Sequence, residues 1–183
     1  MRTSSLMLLC AALVGCASGG RRSTEPQLEQ TTRVQTGEGT VELRTTRSDP
    51  TNEFLVAGTP DGLWKALPVV YAQLEVPVTM RVPAERAIGN RAFRVRRKLG
   101  GTLLSRYLEC GNRMGVSNAD SYEVTVRLET RVLAAAGDSA RLVTVVEGTA
   151  RPTDVSGNPV SCSTTGQLEK RILDLVREQV ARG

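Results

Sequence analysis

Four cysteines, at positions 10, 16, 110 and 162, and one dense basic run, Arg91, Arg94, Arg96, Arg97 and Lys98, are the residues of this 183-residue chain with the most chemistry to offer. Histidine is absent. Its absence removes the usual general base near neutral pH and the commonest metal ligand. It also excludes serine–histidine and cysteine–histidine nucleophilic catalysis by composition alone. No serine stands three residues before Lys65, Lys98 or Lys170, so the serine–lysine hydrolase pattern is missing as well. Gly37-Glu38-Gly39 is too short to cradle a phosphate and precedes no helical pattern. The carboxylates are scattered, and nothing in their order marks a glycosidase-type pair. The expectation is a protein with no catalytic residues and no cofactor, not an enzyme.

The N-terminus carries an address. Met1-Arg2-Thr3-Ser4-Ser5 supplies one positive charge, and an apolar run follows from Leu6 to Val14. At about 1.5 Å per residue, this run is too short to cross a hydrocarbon core of about 30 Å as a helix. A short apolar run behind a positive charge fits a secretory leader. The run ends Leu13-Val14-Gly15-Cys16, which resembles the lipobox of bacterial lipoproteins at all four positions. The resemblance implies cleavage before Cys16, joining of its thiol to diacylglycerol, and removal of residues 1–15. Two or more acyl chains hold a protein stably on a bilayer, at about 0.8 kcal/mol per buried CH₂. Position 17 is Ala rather than Asp. By analogy with enterobacterial sorting, this implies a lipid-anchored protein of the bacterial cell envelope, on the outer membrane facing the periplasm.

With Cys10 leaving in the leader and Cys16 lipidated, Cys110 and Cys162 remain. An even pair in an exported domain favours a disulfide, and two buried free thiols are the alternative. A metal site is not expected, because two sulfurs without histidine make a poor ligand set. The net charge of +5 falls to +4 once Arg2 is lost. The basic run reads either as a patch for anionic lipid or glycan or as the wet face of a sheet. No nucleic-acid partner is expected outside the cytoplasm, and the aromatic platforms for one are lacking.

Residues 16–38 are rich in Ser, Gly, Gln and Thr, with Leu28 and Val34 as the only large apolar residues. They read as a flexible tether, leaving 39–183 as one globular domain. Within it, Thr40–Thr45 alternates and Glu53–Ala57 is a short apolar run. Thr59-Pro60-Asp61 starts a helix whose stripe is Leu63, Trp64, Leu67, Val70, Tyr71 and Leu74. Pro68 predicts a kink in it or two short helices. Val76–Val82 and Ala92–Arg97 read as strands, with Phe93 and Val95 facing inward, and Thr102–Leu108 as a short helix. Tyr122–Val132 alternates with a two-residue period, and Ala140–Arg151 returns as its hairpin partner. Thr164 with Gln167 reads as a capping box opening a last helix striped by Leu168, Ile172, Leu175 and Val176.

The expected fold is therefore α+β, an antiparallel sheet with helices packed on one face in the order ββ-α-ββ-α-ββ-α. The lipobox, the tether and the run Leu63-Trp64-Lys65-Ala66-Leu67 through Leu74 into Val76-Pro77-Val78 together resemble the helix-grip lipoproteins of the outer-membrane assembly machinery (the BamC-like family). The anchor, the tether and the absence of catalytic groups point to a non-enzymatic docking or assembly role with an envelope protein partner. The other function left open is a lipid- or glycan-binding module, using the helix–sheet interface or the Arg91–Lys98 strand.

Overall fold

The computed structural model describes residues 28–36, 39–47, 51–153 and 157–182, with side chains from residue 51 onward. The leader, Cys16 and the tether as far as residue 27 lie outside the described residues. The elements in chain order are β1 (Leu28–Thr36), β2 (Gly39–Arg47), β3 (Thr51–Ala57), α1 (Pro60–Gln73), β4 (Met80–Val82), β5 (Ala87–Arg96), β6 (Lys98–Leu99), β7 (Thr102–Leu103), β8 (Leu108–Glu109), β9 (Asn112–Arg113), β10 (Val116–Ser117), α2 (Asn118–Ser121), β11 (Glu123–Ala134), β12 (Ser139–Arg151), β13 (Val160–Thr164) and α3 (Gln167–Arg182). The described residues are α+β, with an antiparallel sheet and three α-helices among them.

The sheet is organised by the β11–β12 hairpin. Its register runs unbroken from Glu123 opposite Arg151 to Ala134 opposite Ala140. Val124, Val126, Leu128, Thr130 and Val132 are buried, and so are Ala140, Leu142, Thr144, Val146 and Ala150 on the partner strand. The residues between them face water, as a two-residue period requires when one face packs and the other is solvated. β5 pairs with the other edge of β11, and the three-residue β4 pairs with β5. The far edge of β12 is divided: β3 takes Ser139–Val145 and β13 takes Gly148–Ala150.

Both long helices contact the sheet and each other. The Thr59 hydroxyl accepts from the Gly62 amide, and Pro60 opens α1 where its missing N–H costs nothing. α1 is one helix with Pro68 inside it, rather than two short ones. Burial of Leu63, Leu67, Val70 and Tyr71 on either side of Pro68 holds the two halves to one surface. α3 buries Leu168, Ile172, Leu173, Leu175 and Val176. These residues form a single hydrophobic cluster with the inner face of β11 and β12. Under α1, the Tyr71 hydroxyl can donate to the Thr130 hydroxyl at 3.0 Å or the Ile88 carbonyl at 3.2 Å. The Thr130 and Thr144 hydroxyls meet at 3.3 Å. A buried polar chain thus crosses the sheet with each hydroxyl satisfied, as burial demands.

Several expected elements differ. Leu28–Thr36, inside the stretch read as tether, is a strand paired with β2; its Thr and Val content suits an extended backbone. The helix expected at Thr102–Leu108 is instead β7, a 3₁₀ turn over Leu104–Arg106, and β8. β13 recruits Leu108 and Glu109 as paired strand residues, which leaves no room for a helical turn there. The strand expected from Val76 begins at Met80, because the Pro77 carbonyl is taken by the Asn90 side-chain amide at 2.7 Å. The last helix begins at Gln167, not Thr164. Thr164 ends β13, and its hydroxyl accepts from the Gly166 amide and donates to Glu169.

Candidate functional site

The basic run occupies one edge of the wet sheet face, and a bulge decides how. Phe93 pairs with Val126, but Asn90 pairs with Leu128, so β5 spends one residue more than β11 over this stretch. The Asn90 side-chain oxygen accepts from the Ala92 amide at 2.9 Å inside the bulge. Strict alternation would put Arg91 on the same face as Phe93. The bulge turns Arg91 outward beside Arg94 and Arg96, while Phe93 and Asn90 both stay inside.

Those outward arginines face carboxylates. Arg91 reaches Glu129 at 3.4 Å, and Arg94 and Arg96 reach Glu123 at 3.7 and 3.3 Å. Arg127 Nε donates to Glu129 at 3.0 Å and its Nη1 to Glu147 at 3.2 Å. Hydrogen bonding from Arg127 holds the Glu129 carboxyl below its ordinary range, and the same bond raises Arg127. Arg131 with Glu85 and Arg141 with Glu53 extend the pattern across the sheet. The structure therefore places three of the five residues of the basic run within a ladder of opposite charges. Arg97, in the left-handed region at φ 63°, and Lys98 follow it at the end of the strand.

Cys110 and Cys162 form a disulfide. It ties the segment leaving β8 to β13, and Gly148 of β12 lies under it, opposite Cys162 in register. A Cβ on Gly148 would stand 3.1 Å from the Cys162 Cβ, so a side chain there would crowd the bridge. Further bonds join the same two stretches of chain. The Thr165 hydroxyl donates to the Arg106 carbonyl at 2.6 Å, and the Thr165 amide donates to the Tyr107 carbonyl at 3.0 Å. Asp120 accepts from the Ser105 amide at 2.9 Å. Above this junction lies a groove of about 750 Å³. Thr102, Ser105, Arg106 and Tyr107 line one wall, and Gln167, Lys170, Arg171 and Asp174 of α3 line the other.

The disulfide also braces a second feature. Immediately after Cys110, β9 and β10 form a small hairpin whose turn is Met114-Gly115, both at positive φ. Such a two-residue turn matches the twist of a hairpin. Its base is closed by the Asn118 amide donating to the Gly111 carbonyl at 3.0 Å and by the Asn118 side chain donating to the Cys110 carbonyl at 3.0 Å. At the tip, Met114 is 94 % exposed and Val116 55 %.

Sequence reasoning brought the two cysteines together and missed the groove. Gln167, Lys170, Arg171 and Asp174 recur at spacings of three and four along α3, which reads only as the polar side of an amphipathic helix. Nothing local connects them to residues 102–107. Glu169 was missed as well: it is fully buried, and its Oε1 accepts from the Asn52 side chain at 2.9 Å and the Thr164 hydroxyl at 2.7 Å. Among the described residues no cluster of three or more metal-ligating side chains occurs, and no helix is long and apolar enough to cross a membrane. Cys16 lies outside the described residues. No protein-family model matches the chain, and no curated protein matches it either.

Proposed function

We propose that this protein is an envelope lipoprotein, anchored by lipid on Cys16 and facing the periplasm from the outer membrane, whose domain docks on an envelope protein partner without catalysing a reaction. The observation that carries the docking reading is the β9–β10 hairpin. It presents a methionine almost wholly to water, on a turn braced at its base by a disulfide and two hydrogen bonds. A thioether side chain adapts to many apolar surfaces, and a stiffened loop loses little freedom on binding. Two long helices packed on an antiparallel sheet are the coarse feature shared with a helix-grip architecture. Filling of the helix–sheet interface by the Leu63–Val176 cluster favours docking over a ligand held between the layers.

A photo-crosslinking residue placed at Met114 in living cells tests this reading. Discrete adducts with envelope proteins are expected from position 114 and not from Gly137, at the turn of the β11–β12 hairpin. Identical patterns from the two positions, or no protein adduct from 114, would overturn the docking role.

A further inference from the structure

The groove between residues 102–107 and α3 has the makings of a ligand site that does not depend on membrane anchorage or on the hairpin. Its lining holds three cations, Arg106, Lys170 and Arg171, against one acid, Asp174. None of the three cations makes an ion pair among the described residues. The contrast with Arg91, Arg94 and Arg96, each beside a carboxylate, is direct.

Tyr107 adds an independent observation. It is only 4 % exposed and lines the groove, yet its hydroxyl has no hydrogen-bond partner among the described residues. Tyr107 thus brings a phenol without an internal partner to the wall of the groove. Thr102, Ser105 and Gln167 place further donors around the same space. Donor-bearing residues stand on both walls, and those walls are fixed to each other by the disulfide, the β8–β13 pairing and the two Thr165 bonds. A fixed spacing between the walls leaves only the side chains to be ordered when they form charge-assisted hydrogen bonds.

We infer that this groove binds a phosphate ester. A tetrahedral, multiply charged anion can accept from Arg106, Lys170, Arg171 and the Tyr107 hydroxyl at once, which a planar carboxylate cannot. Asp174 stands seven residues beyond Gln167, about 10 Å along the helix. Its charge keeps the phosphate toward the Arg106–Lys170 end and leaves an acceptor for a hydroxyl on the organic part. A phosphorylated polyol fits this arrangement, either free or as a lipid headgroup.

Amide chemical shifts of the full chain in detergent, titrated with inorganic phosphate and then with glycerol phosphate, test the assignment. Saturable shifts are expected at Ser105, Arg106, Gln167 and Lys170, with glycerol phosphate the tighter of the two. Lys170→Gln with Arg171→Gln should weaken binding about tenfold or more, and Tyr107→Phe severalfold, while Arg94→Gln with Arg96→Gln leaves it unchanged. Vesicles containing phosphatidylglycerol separate the two sources. Shifts at the same amides mark a lipid headgroup, and silence there with a positive glycerol phosphate titration marks a free ester; either supports the site. No saturation at these amides, or shifts that follow Arg91–Lys98 instead, would overturn it.

Discussion

Gly89 lies so close against Glu129 that a Cβ on Gly89 would fall 2.8 Å from the Glu129 Cα and 2.3 Å from the Leu128 carbonyl oxygen. The two residues are register partners across β5 and β11, next to the bulge that turns Arg91 outward. Backbone atoms cannot yield as a flexible side chain can. Gly89→Ala should therefore cost about 1–3 kcal/mol, the range of overpacking substitutions, and show as a lower urea midpoint. Gly137→Asn, at a turn with nothing within 4 Å of its Cβ and a φ of 66° that Asn tolerates, should leave the midpoint within about 0.5 kcal/mol.

The disulfide closes a loop of 52 residues. In the chain-entropy model such a loop contributes about 4 kcal/mol. Denaturant unfolding with and without reductant should show a loss of that order, and Cys110→Ala with Cys162→Ala should behave like the reduced protein. An unchanged midpoint would mean that the bridge does not constrain the unfolded chain.

The Tyr71 phenol is buried, and desolvation raises its pKa above the ordinary value. The unfolded chain therefore loses this proton first as pH rises past about 10. Above that pH the unfolded state binds fewer protons, so stability falls with rising pH, and below it the contribution is constant. Unfolding free energy measured between pH 8 and 11 should decline at the alkaline end. Tyr71→Phe should flatten that decline while lowering stability at neutral pH by about 1–2 kcal/mol, through loss of the bond to Thr130 and Ile88.

Glu129 shows the opposite sign. Its hydrogen bond from Arg127 lowers its pKa, so its contribution is present above the unfolded carboxyl value near 4.3 and is lost as pH falls below it. The pair is partly exposed and solvent screens it. Glu129→Gln should cost less than about 1 kcal/mol at neutral pH and reduce the acid slope of the stability profile. An unaltered slope would place the acid sensitivity elsewhere.

The β11–β12 hairpin was legible because its buried residues repeat every second position from Val124 to Val132. The stripes of α1 and α3 were legible for the same reason at helical period. The pairing of Cys110 with Cys162 followed from the lipobox by parity. Legibility ended where a tertiary contact overrules local pattern. The bulge at Arg91 and Ala92 breaks the period of β5, and its cause, the Asn90 side chain bonding both Ala92 and Pro77, has no signature in spacing. Residues 102–109 carry apolar residues at helical spacing, yet β13 and the disulfide draw them into strand pairing. The groove joins side chains sixty or more residues apart in sequence, and only the fold makes them neighbours.

Membrane anchorage through Cys16 underlies the proposed docking role, and one measurement reaches it directly. Protein extracted from its host's envelope should begin at Cys16 and carry acyl mass on that residue, and Cys16→Ser should abolish both the cleavage before residue 16 and the acyl mass. A wild-type protein of full-length mass carrying no acyl group would contradict the anchorage.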